Sequence, residues 1–449
     1  MGYADSVALK EILMDVAEQL LDRAIAAGAQ VAEVFQSGSL SRPIIFEGNR
    51  LKQVETTEAE GLALRLWQDG KPGLAVGYGP VDLQVLVEKA LATSELNEPE
   101  TPELTAGNKK DFGAVGEEMP VTAMVTAGTE AIARIRDCFP EAVCEAELSC
   151  DVETTRLINS TGLDYRYQDT TVSGYIDAAF TRLDDFLNVG DGLTARQPIE
   201  MTVIADSIIQ RLSWAQQIVA PVTGQVPVIF TPSAASLLWD TLRAALNGKR
   251  ILEGSSPWQT QWKQQVVDRA IMLRQVPTEG PYSCPFDDEG TPTQPLTLIE
   301  NGQIVGIYCD RTTSKRAQQL PTPLAGMPQQ STGNGIRPGM GSYPTPGLIN
   351  CVVTPGTQSW NSLIAQQKTA IVVDQVMGEG GDITGNLSIN LELGYLVSEG
   401  EIVGRVKDTM VAGNAYDALN HLIALGSDAD WSGSTLTPSV VVDGLTVTG

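Results

Sequence analysis

Apolar residues in the first part of the chain change from helical to strand periodicity and back. Near the N-terminus they recur every three or four positions, which predicts an amphipathic helix that stops at Gly28. Short alternating runs follow and predict antiparallel strands, with turns at Asn49 and at Asp69-Gly70. The strand runs are Val31 to Phe35, Ser41 to Glu47, Gly61 to Trp67 and Gly73 to Gly77. Helical spacing from Leu83 to Leu91 completes a first unit, residues 1–97.

A second unit, residues 98–222, is predicted to repeat this plan. It begins with a linker that is rich in Pro, Gly and charged residues and extends to about residue 118. A helix from Val121 to Arg136 and a closing helix from Ile204 to Ile218 flank a predicted meander. The meander strands are Val143 to Cys150, Glu153 to Asn159, Asp164 to Ser173 and Gly174 to Arg182. We therefore expect an α+β fold with a duplicated helix–antiparallel sheet–helix arrangement.

The third unit, residues 223–449, is predicted to be a large β-rich domain because Gly and Pro are frequent and most apolar runs are short. One clear helix begins with Thr231 as N-cap and Pro232 at its first position, and Gly248 is expected to end it. A last helix is predicted from Asn414 to Leu425. The expected strands are Leu296 to Asp310, Thr369 to Gly378, Asn386 to Ser398, Glu401 to Val411 and Val440 to Val447.

The charge of the chain excludes several classes of function. Lys and Arg number 30 against 55 Asp and Glu, a net charge of −25, which argues against binding to a nucleic-acid backbone or an anionic membrane. No apolar run approaches the roughly 18 residues of a transmembrane helix, and no signal peptide is recognisable. We therefore expect a cytoplasmic protein whose six cysteines are thiols, mostly buried.

Histidine is the most restrictive residue type, because the chain contains only one, His421. A site with two imidazoles on one metal ion is therefore excluded in this chain. His421 is predicted to lie on the last helix among apolar neighbours and to have a structural role. An alternative is an autonomous hydrolase in which Cys309 or Cys351 acts as a nucleophile with His421 as base.

Two kinds of local motif are candidates for ligand binding or catalysis. Gly333-Asn334-Gly335 and Gly378-Glu379-Gly380-Gly381 match neither dinucleotide nor phosphate-binding loops, so tight turns are the simpler interpretation. Phe286-Asp287-Asp288-Glu289-Gly290 groups three acids without the spacing of a calcium loop. We expect a solvated turn there, with binding of a hard cation as the alternative.

Several of these segments, in this order, resemble the TldD/TldE (PmbA) family, which is also named after an early link to DNA gyrase. In the first unit the resemblance rests on Ala27-Gly28-Ala29, Asn49-Arg50-Leu51 and the run from Gly61 to Arg65. The third unit carries the more specific part. Its matching segments are Val226 to Phe230, Ala234 to Gly248, Phe286 to Gly290, Leu298 to Gly302, Ser331 to Asn334, Ile383 to Ser388 and Val411 to Asn414.

The resemblance implies one of two branches. TldD-like members carry an HExxxH motif on the first helix of the last domain, with two zinc-binding His residues, a Glu as general base and a Cys near the C-terminus as third ligand. They hydrolyse peptide bonds. TldE-like members keep the fold, lose the ligands and pair with a TldD-like subunit around a closed cavity. The roles ascribed to such pairs are degradation of unfolded or short peptides and removal of leader peptides.

This chain departs from the TldD-like branch at every ligand. In the register set by Gly248, Trp239 and Ala244 stand at the positions of the two His residues and Asp240 at that of the general base. Ser432 stands where the family places its Cys. The resemblance therefore implies no catalytic residue and no metal ligand in this chain, and zinc is expected in the partner subunit.

The predicted role is that of a TldE-like subunit, with a TldD-like HExxxH subunit as partner and a peptide as substrate. A homodimeric peptide-binding or assembly protein is the alternative. Gly-rich loops with free backbone groups are expected to line the cavity and bind peptide by strand addition. The residues proposed for this are Gly333, Asn334, Gly380, Gly381, Gly385 and Asn386.

Overall fold

The computed structural model describes residues 16–182, 185–378 and 382–449. In its N-terminal part, helix α1 covers residues 16–26, and the chain then forms a series of antiparallel strands and a second helix. These elements are β1 (Val31–Ser41), β2 (Ile44–Glu47), β3 (Arg50–Val54), β4 (Thr57–Gln68), β5 (Lys71–Tyr78) and α2 (Leu83–Glu95). The predicted helix–sheet–helix order is confirmed over the described residues.

The next segment adds longer strands and two more helices. Its elements are β6 (Lys109–Val115), α3 (Val121–Cys138), β7 (Val143–Asn159), β8 (Asp164–Arg182), β9 (Asp185–Ala195) and α4 (Met201–Trp214). Strands of both segments join one nine-stranded sheet in the order β3-β2-β7-β1-β4-β5, in which β8 pairs with β7, β6 and β9. The duplicated units thus share one sheet, and the boundaries at residues 97 and 222 stay predictions.

Several features of this sheet differ from the sequence-based expectation. Strand β9 was not predicted, and the predicted strands that meet at Ser173 and Gly174 form one strand, β8. The predicted strands on either side of residue 151 form one continuous strand, β7, which pairs along its length with β8. The predicted linker contains β6, which runs parallel to β8. Six of the seven residues of β6 are exposed, so it carries no alternation of apolar and polar residues by which it could be recognised.

The C-terminal part contains most of the short strands. Its helices are α5 (Pro232–Ala245), α6 (Gly248–Leu252), α7 (Arg311–Gln318), α8 (Trp360–Ala365) and α9 (Ala415–Asn420). Its strands are β10 (Gly224–Gln225), β11 (Val228–Phe230), β12 (Leu273–Gln275), β13 (Leu296–Glu300), β14 (Gln303–Ile304), β15 (Gly335–Ile336), β16 (Thr345–Pro346), β17 (Cys351–Val353), β18 (Thr369–Met377), β19 (Asn386–Ser398), β20 (Glu401–Val406), β21 (Met410–Asn414), β22 (Leu422–Leu425), β23 (Asp430–Ser432), β24 (Thr435–Thr437), β25 (Val440–Val442) and β26 (Thr446–Thr448).

Two larger sheets organise these strands. One has nine strands in the order β10-β26-β21-β19-β18-β11-β25-β22, with β20 paired to β19. The other has the order β14-β13-β12-β17-β24-β23, so the hairpin β23–β24 forms its edge. Helix α5 lies between the hairpin and β18. The predicted large β-rich region is confirmed.

Several element boundaries in this region were predicted wrongly, and the predicted strands Glu401 to Val411 and Val440 to Val447 are each divided in two, as β20 with β21 and β25 with β26. Helix α5 ends at Ala245, and Gly248 opens α6 because the Asn247 side chain caps a new helix there. The predicted strand from Leu296 is interrupted by a tight turn at Asn301 and Gly302, both at positive φ. The last helix ends at Asn420, so His421 is its C-cap and the chain continues as β22.

The N-terminal and C-terminal parts of the structure share an apolar core. Helices α3 and α4 cover one face of the N-terminal sheet, and the cluster that they form also contains Ile229, Val372 and Tyr395 of the C-terminal sheet. The hydroxyl of Tyr395 donates to the Arg211 carbonyl on α4 at 3.1 Å. Across the described residues, no helix is both long and apolar enough to cross a membrane.

Candidate functional site

Helix α5 carries three of the positions singled out by sequence, and its start is set by local chemistry. The Thr231 hydroxyl accepts a hydrogen bond from the Ala234 amide, and Pro232 occupies the first turn. Its apolar face is buried, and this includes Ala235, Leu238 and Leu242. The predicted N-terminus of this helix is confirmed.

Trp239 points into the core rather than toward a surface. Its side chain is 0% exposed, and its indole N–H donates to Thr437 Oγ1 on β24 at 2.6 Å. Asp240, the next residue, is rotated by about 100° around the helix axis and is exposed. Trp239 and Asp240 therefore do not face a common site.

The exposed face of α5 is joined to the hairpin β23–β24 by a guanidinium. Arg243 Nη1 donates to Asp240 at 2.8 Å and to the Thr435 hydroxyl at 3.1 Å. Thr435 is directly opposite Ser432 in the hairpin. The structure thus brings the element that carries Ser432 against α5, as the resemblance implies, while Ala244 offers only a methyl group.

Ser432 lines a cleft of about 560 Å³ between the N-terminal sheet and the C-terminal region. Strands β7, β8 and β9 form one wall, and Pro232 and Ser233 at the start of α5 form part of the other. Gln375 on β18 also lines the cleft, and its side-chain oxygen accepts a hydrogen bond from the Gly190 amide at 3.0 Å. This cleft is the candidate substrate-facing site.

The turn at residues 286–290 was expected to be solvated, and this expectation is wrong. Asp287 and Glu289 are 1% and 3% exposed. The carboxylate of Asp287 accepts backbone hydrogen bonds from Gly335 at 2.8 Å, Glu289 at 3.0 Å and Thr291 at 2.8 Å. The turn is buried because it packs beneath the N-terminal sheet, where Phe286 contacts Tyr165 and Tyr167.

Burial changes the acid–base behaviour of this turn. It raises the pKa of Asp287 and of Glu289, and the proximity of the two carboxyl groups raises that of Glu289 further. Asp310 adds to the effect on Glu289, whereas the Arg65 guanidinium opposes it. Buried carboxyl groups that are bound by backbone amides indicate a structural role for this turn.

An ionic cluster beside this turn connects it to the N-terminal sheet. Glu33 on β1 is 1% exposed, and its Oε1 lies 3.0 Å from Arg65 Nη2 on β4 and 3.0 Å from Arg337 Nη2. The Arg337 amide donates to Asp288 Oδ2 at 2.7 Å. Residues about 300 positions apart in the chain are thus held in one buried network.

The loop proposed for peptide binding around Gly333 and Asn334 lies inside the protein. Asn334 is 0% exposed, and its amide donates to Gln275 Oε1 at 2.6 Å and to the Gly347 carbonyl at 2.7 Å. Its side-chain oxygen accepts from Thr332 at 2.7 Å. Peptide binding by these two residues stays a prediction, and the packing favours a structural role.

The second proposed loop is at the surface, next to α5. Asn386 is exposed and donates to the Thr384 hydroxyl at 2.7 Å. Gly385 packs beside Tyr416, whose hydroxyl donates to the Ile383 carbonyl at 2.8 Å. Gly380 and Gly381, which belong to the same proposal, lie outside the described residues.

The groups of the alternative hydrolase do not form a site. Cys309 and Cys351 are 0% exposed, and burial raises their pKa to about 12 and about 11. His421 is exposed, with Nδ1 2.8 Å from the Asp417 carbonyl of its own helix. In the described part of the chain, no three side chains of His, Cys, Asp or Glu are grouped to hold a metal ion.

Comparison with known proteins identifies relatives for nearly the whole chain. The family model for the PmbA/TldA metallopeptidase C-terminal domain matches residues 223–449, and that for PmbA/TldA metallopeptidase domain 1 matches residues 32–94. A metalloprotease PmbA homolog from Haemophilus influenzae is 30% identical over 236 residues, which are 51% of this chain and 47% of that protein. The match thus spans about half the length of this relative.

Solved structures agree with the fold over almost all of the chain. TldE from Thermococcus kodakarensis superposes with a TM-score of 0.84 at 21% identity, covering 96% of this chain and 99% of that one. A protein from Thermotoga maritima described as a modulator of a DNA gyrase gives a TM-score of 0.82, also at 21% identity, with coverages of 96% and 99%. At such identities these likenesses establish the fold alone.

Proposed function

Because this chain belongs to the PmbA/TldD metallopeptidase family, we propose that it is a TldE-like, non-catalytic subunit of a zinc peptidase. In this proposal an HExxxH-bearing partner supplies the metal and the general base. This chain completes the chamber that receives unfolded or leader peptides. The cleft beside Ser432 is the part of the chamber that it contributes.

The donor set of the candidate site does not fit zinc. A catalytic zinc ion takes three protein ligands from His, Cys or carboxylate groups. The matching positions offer a buried indole, a methyl group and a hydroxyl, and the nearby carboxylate of Asp240 is bound to Arg243. The only imidazole, that of His421, is at the end of α9 and not on α5.

One observation carries the proposal: α5 and the hairpin β23–β24 are joined by the side chains that stand at and beside the ligand positions. The indole N–H of Trp239 donates a hydrogen bond to Thr437, and the guanidinium of Arg243 donates one to Thr435. In a TldD-like subunit a zinc ion would join the same two elements. Here neutral and cationic hydrogen-bond donors make that connection, which supports a subunit that holds no metal at this position.

The proposal is tested by reconstitution. The purified chain is assayed for cleavage of an unstructured peptide, alone and mixed with the HExxxH relative encoded in the same genome. We expect cleavage only in the mixture. A partner in which the motif Glu is replaced by Gln is the matched control and should form the same complex without cleaving, because the general base is missing.

Two results would contradict the proposal. Cleavage by this chain alone would place a catalytic site in it. A stable complex of two copies of this chain, with no binding to the HExxxH relative, would instead support the homodimeric peptide-binding alternative. Light scattering of the separate and mixed proteins measures the molar mass that distinguishes these cases.

A further inference from the structure

The cleft beside Ser432 carries an excess of negative charge. Glu147 on β7, Asp191 on β9 and Asp430 on β23 all line it. None of the described residues in its lining is Lys, Arg or His. Asp191 is paired from behind with Arg211 on α4, Nη2 to Oδ2 at 2.9 Å, which leaves Glu147 and Asp430, both exposed, without a cation in the lining.

An aromatic ring in the cleft lining lies on the same face of the sheet as Glu147, its cross-strand neighbour. Tyr175 on β8 is 45% exposed and stands in register between Glu147 on one neighbouring strand and Gly192 on the other. Its hydroxyl donates to Asp177 at 3.2 Å, which fixes the direction of the ring. The Tyr175 side chain is therefore fixed in orientation and partly exposed.

Two glycines on β9 allow the ring to lie flat on the sheet. A Cβ on Gly190 would come 2.1 Å from the Tyr175 hydroxyl oxygen, and a Cβ on Gly192 would come 2.7 Å from Cδ2 of the ring. Any larger residue at either position would displace the ring. The ring thus rests on bare backbone on one side and is open to the cleft elsewhere.

The ring stays neutral in this setting. Partial burial, followed by the charges of Asp177, Glu392 and Asp191, raises the pKa of Tyr175 to about 12. A neutral aromatic face attracts ammonium and guanidinium groups, and flanking carboxylates bind them by charge-assisted hydrogen bonds. The long apolar stem of Lys or Arg suits a surface that is aromatic beneath and acidic at its rim.

We infer that this cleft binds the cationic side chain of a Lys or Arg residue in an extended peptide, with the stem on the Tyr175 ring and the charge between Glu147 and Asp430. The inference rests on the proposed function for the choice of a peptide as the occupant. It makes this chain the subunit that selects where a peptide lies in the chamber.

Direct binding to the full chain tests the inference without zinc or a partner. The probe is a fluorescein-labelled nine-residue peptide of Gly and Ala with one central Lys, and its anisotropy reports binding. The comparison peptide carries Nε-acetyl-lysine at the same position. We expect the Lys peptide to bind roughly tenfold more tightly, with a difference that shrinks at high salt. Equal binding of the two, or no binding of either, would overturn the inference.

Variants locate the effect. Glu147→Gln combined with Asp430→Asn should remove the preference for Lys, and Tyr175→Leu should lower it about threefold. Glu401→Gln and Tyr78→Leu remove a carboxylate and an exposed tyrosine outside the cleft lining and should leave it unchanged. A preference that survives the cleft variants, or falls equally in the controls, would assign it to the general negative charge of the chain and overturn the inference.

The outcome is separable from that of the proposed function. If the chain prefers the Lys peptide but does not support cleavage by an HExxxH partner, the cleft inference stands and the subunit proposal fails. If the mixture cleaves peptides but the chain shows no such preference, the reverse holds. Lysine amide alone is a further arm, because binding as tight as that of the peptide would contradict a peptide occupant.

Discussion

Trp239 Nε1 lies 2.6 Å from Thr437 Oγ1, and this hydrogen bond joins α5 to the edge hairpin within a closed core. The residue at the first ligand position is therefore part of the packing between two elements. A substitution of Trp239 is therefore expected to change the stability of the fold and not the chemistry of a binding site. Burial in the core likewise distinguishes structural residues from exposed, substrate-facing residues elsewhere along the cleft.

Replacing Trp239 by Ala should lower the free energy of unfolding by roughly 3–5 kcal/mol, because it removes a fully buried aromatic side chain and leaves Thr437 without its donor. Urea denaturation measures the change. Tyr78→Ala, at a side chain that is 65% exposed, is the control and should change it by less than about 0.5 kcal/mol. A similar small effect at Trp239 would contradict its assignment to the core.

Glu33→Ala should destabilise the chain by about 3–5 kcal/mol, since it leaves Arg65 and Arg337 as buried, like-charged neighbours without their carboxylate. Lys52→Ala breaks the exposed pair with Glu47 and should lower the Tm much less, because water and salt screen an exposed pair. Thermal unfolding of both variants makes the comparison. Equal shifts in Tm would show that the buried cluster does not hold the turn to the sheet.

The buried acidic turn predicts that stability falls as the pH rises. The pKa of Glu289 is higher in the folded chain than in the unfolded one, so the folded state binds more protons above the ordinary carboxyl value near 4.5. For each such extra proton, the free energy of unfolding falls by about 1.4 kcal/mol per pH unit until the group ionises in the folded state. Glu289→Gln should flatten the dependence measured by urea unfolding from pH 5 to 9, whereas Glu58→Gln, at an exposed residue, should leave it unchanged.

Gly190→Ala should separate stability from recognition. The added methyl group would meet the partly exposed Tyr175 hydroxyl, which can move, so the free energy of unfolding should change by no more than about 1 kcal/mol. The displaced ring should weaken the preference for the Lys peptide about threefold. Gly339→Ala, where the methyl group meets open space, is the matched control. An unchanged preference in Gly190→Ala would show that the ring position is irrelevant to binding.

Features that depend on neighbouring residues were predictable from the sequence. The N-cap at Thr231 and the proline after it specify the start of α5 within a few positions. The positive φ of Asn49 and Asp69 agrees with the turns expected there. The thiols were expected to be buried, which is confirmed for Cys144, Cys150, Cys309 and Cys351, whereas Cys284 is half-buried and Cys138 is exposed.

Features that depend on contacts between distant residues were not predictable from the sequence. The buried carboxylate of Asp287 accepts a hydrogen bond from Gly335, nearly fifty positions later, and no local pattern around a run of acids signals such a partner. The place of Tyr175 over Gly190 and Gly192 depends on the register between β8 and β9. A tyrosine and glycines in adjacent predicted strands are a weak signal, which becomes informative only once that register is known.

Zinc content measured on the separate and combined subunits tests the central claim most directly. Elemental analysis of this chain, purified alone after exposure to zinc and gel filtration, should give far less than one zinc per chain. The complex with the HExxxH partner should contain one zinc per pair of subunits. One zinc per molecule of this chain alone, retained after filtration, would contradict the account and place a metal site where Trp239, Ala244 and Ser432 offer none.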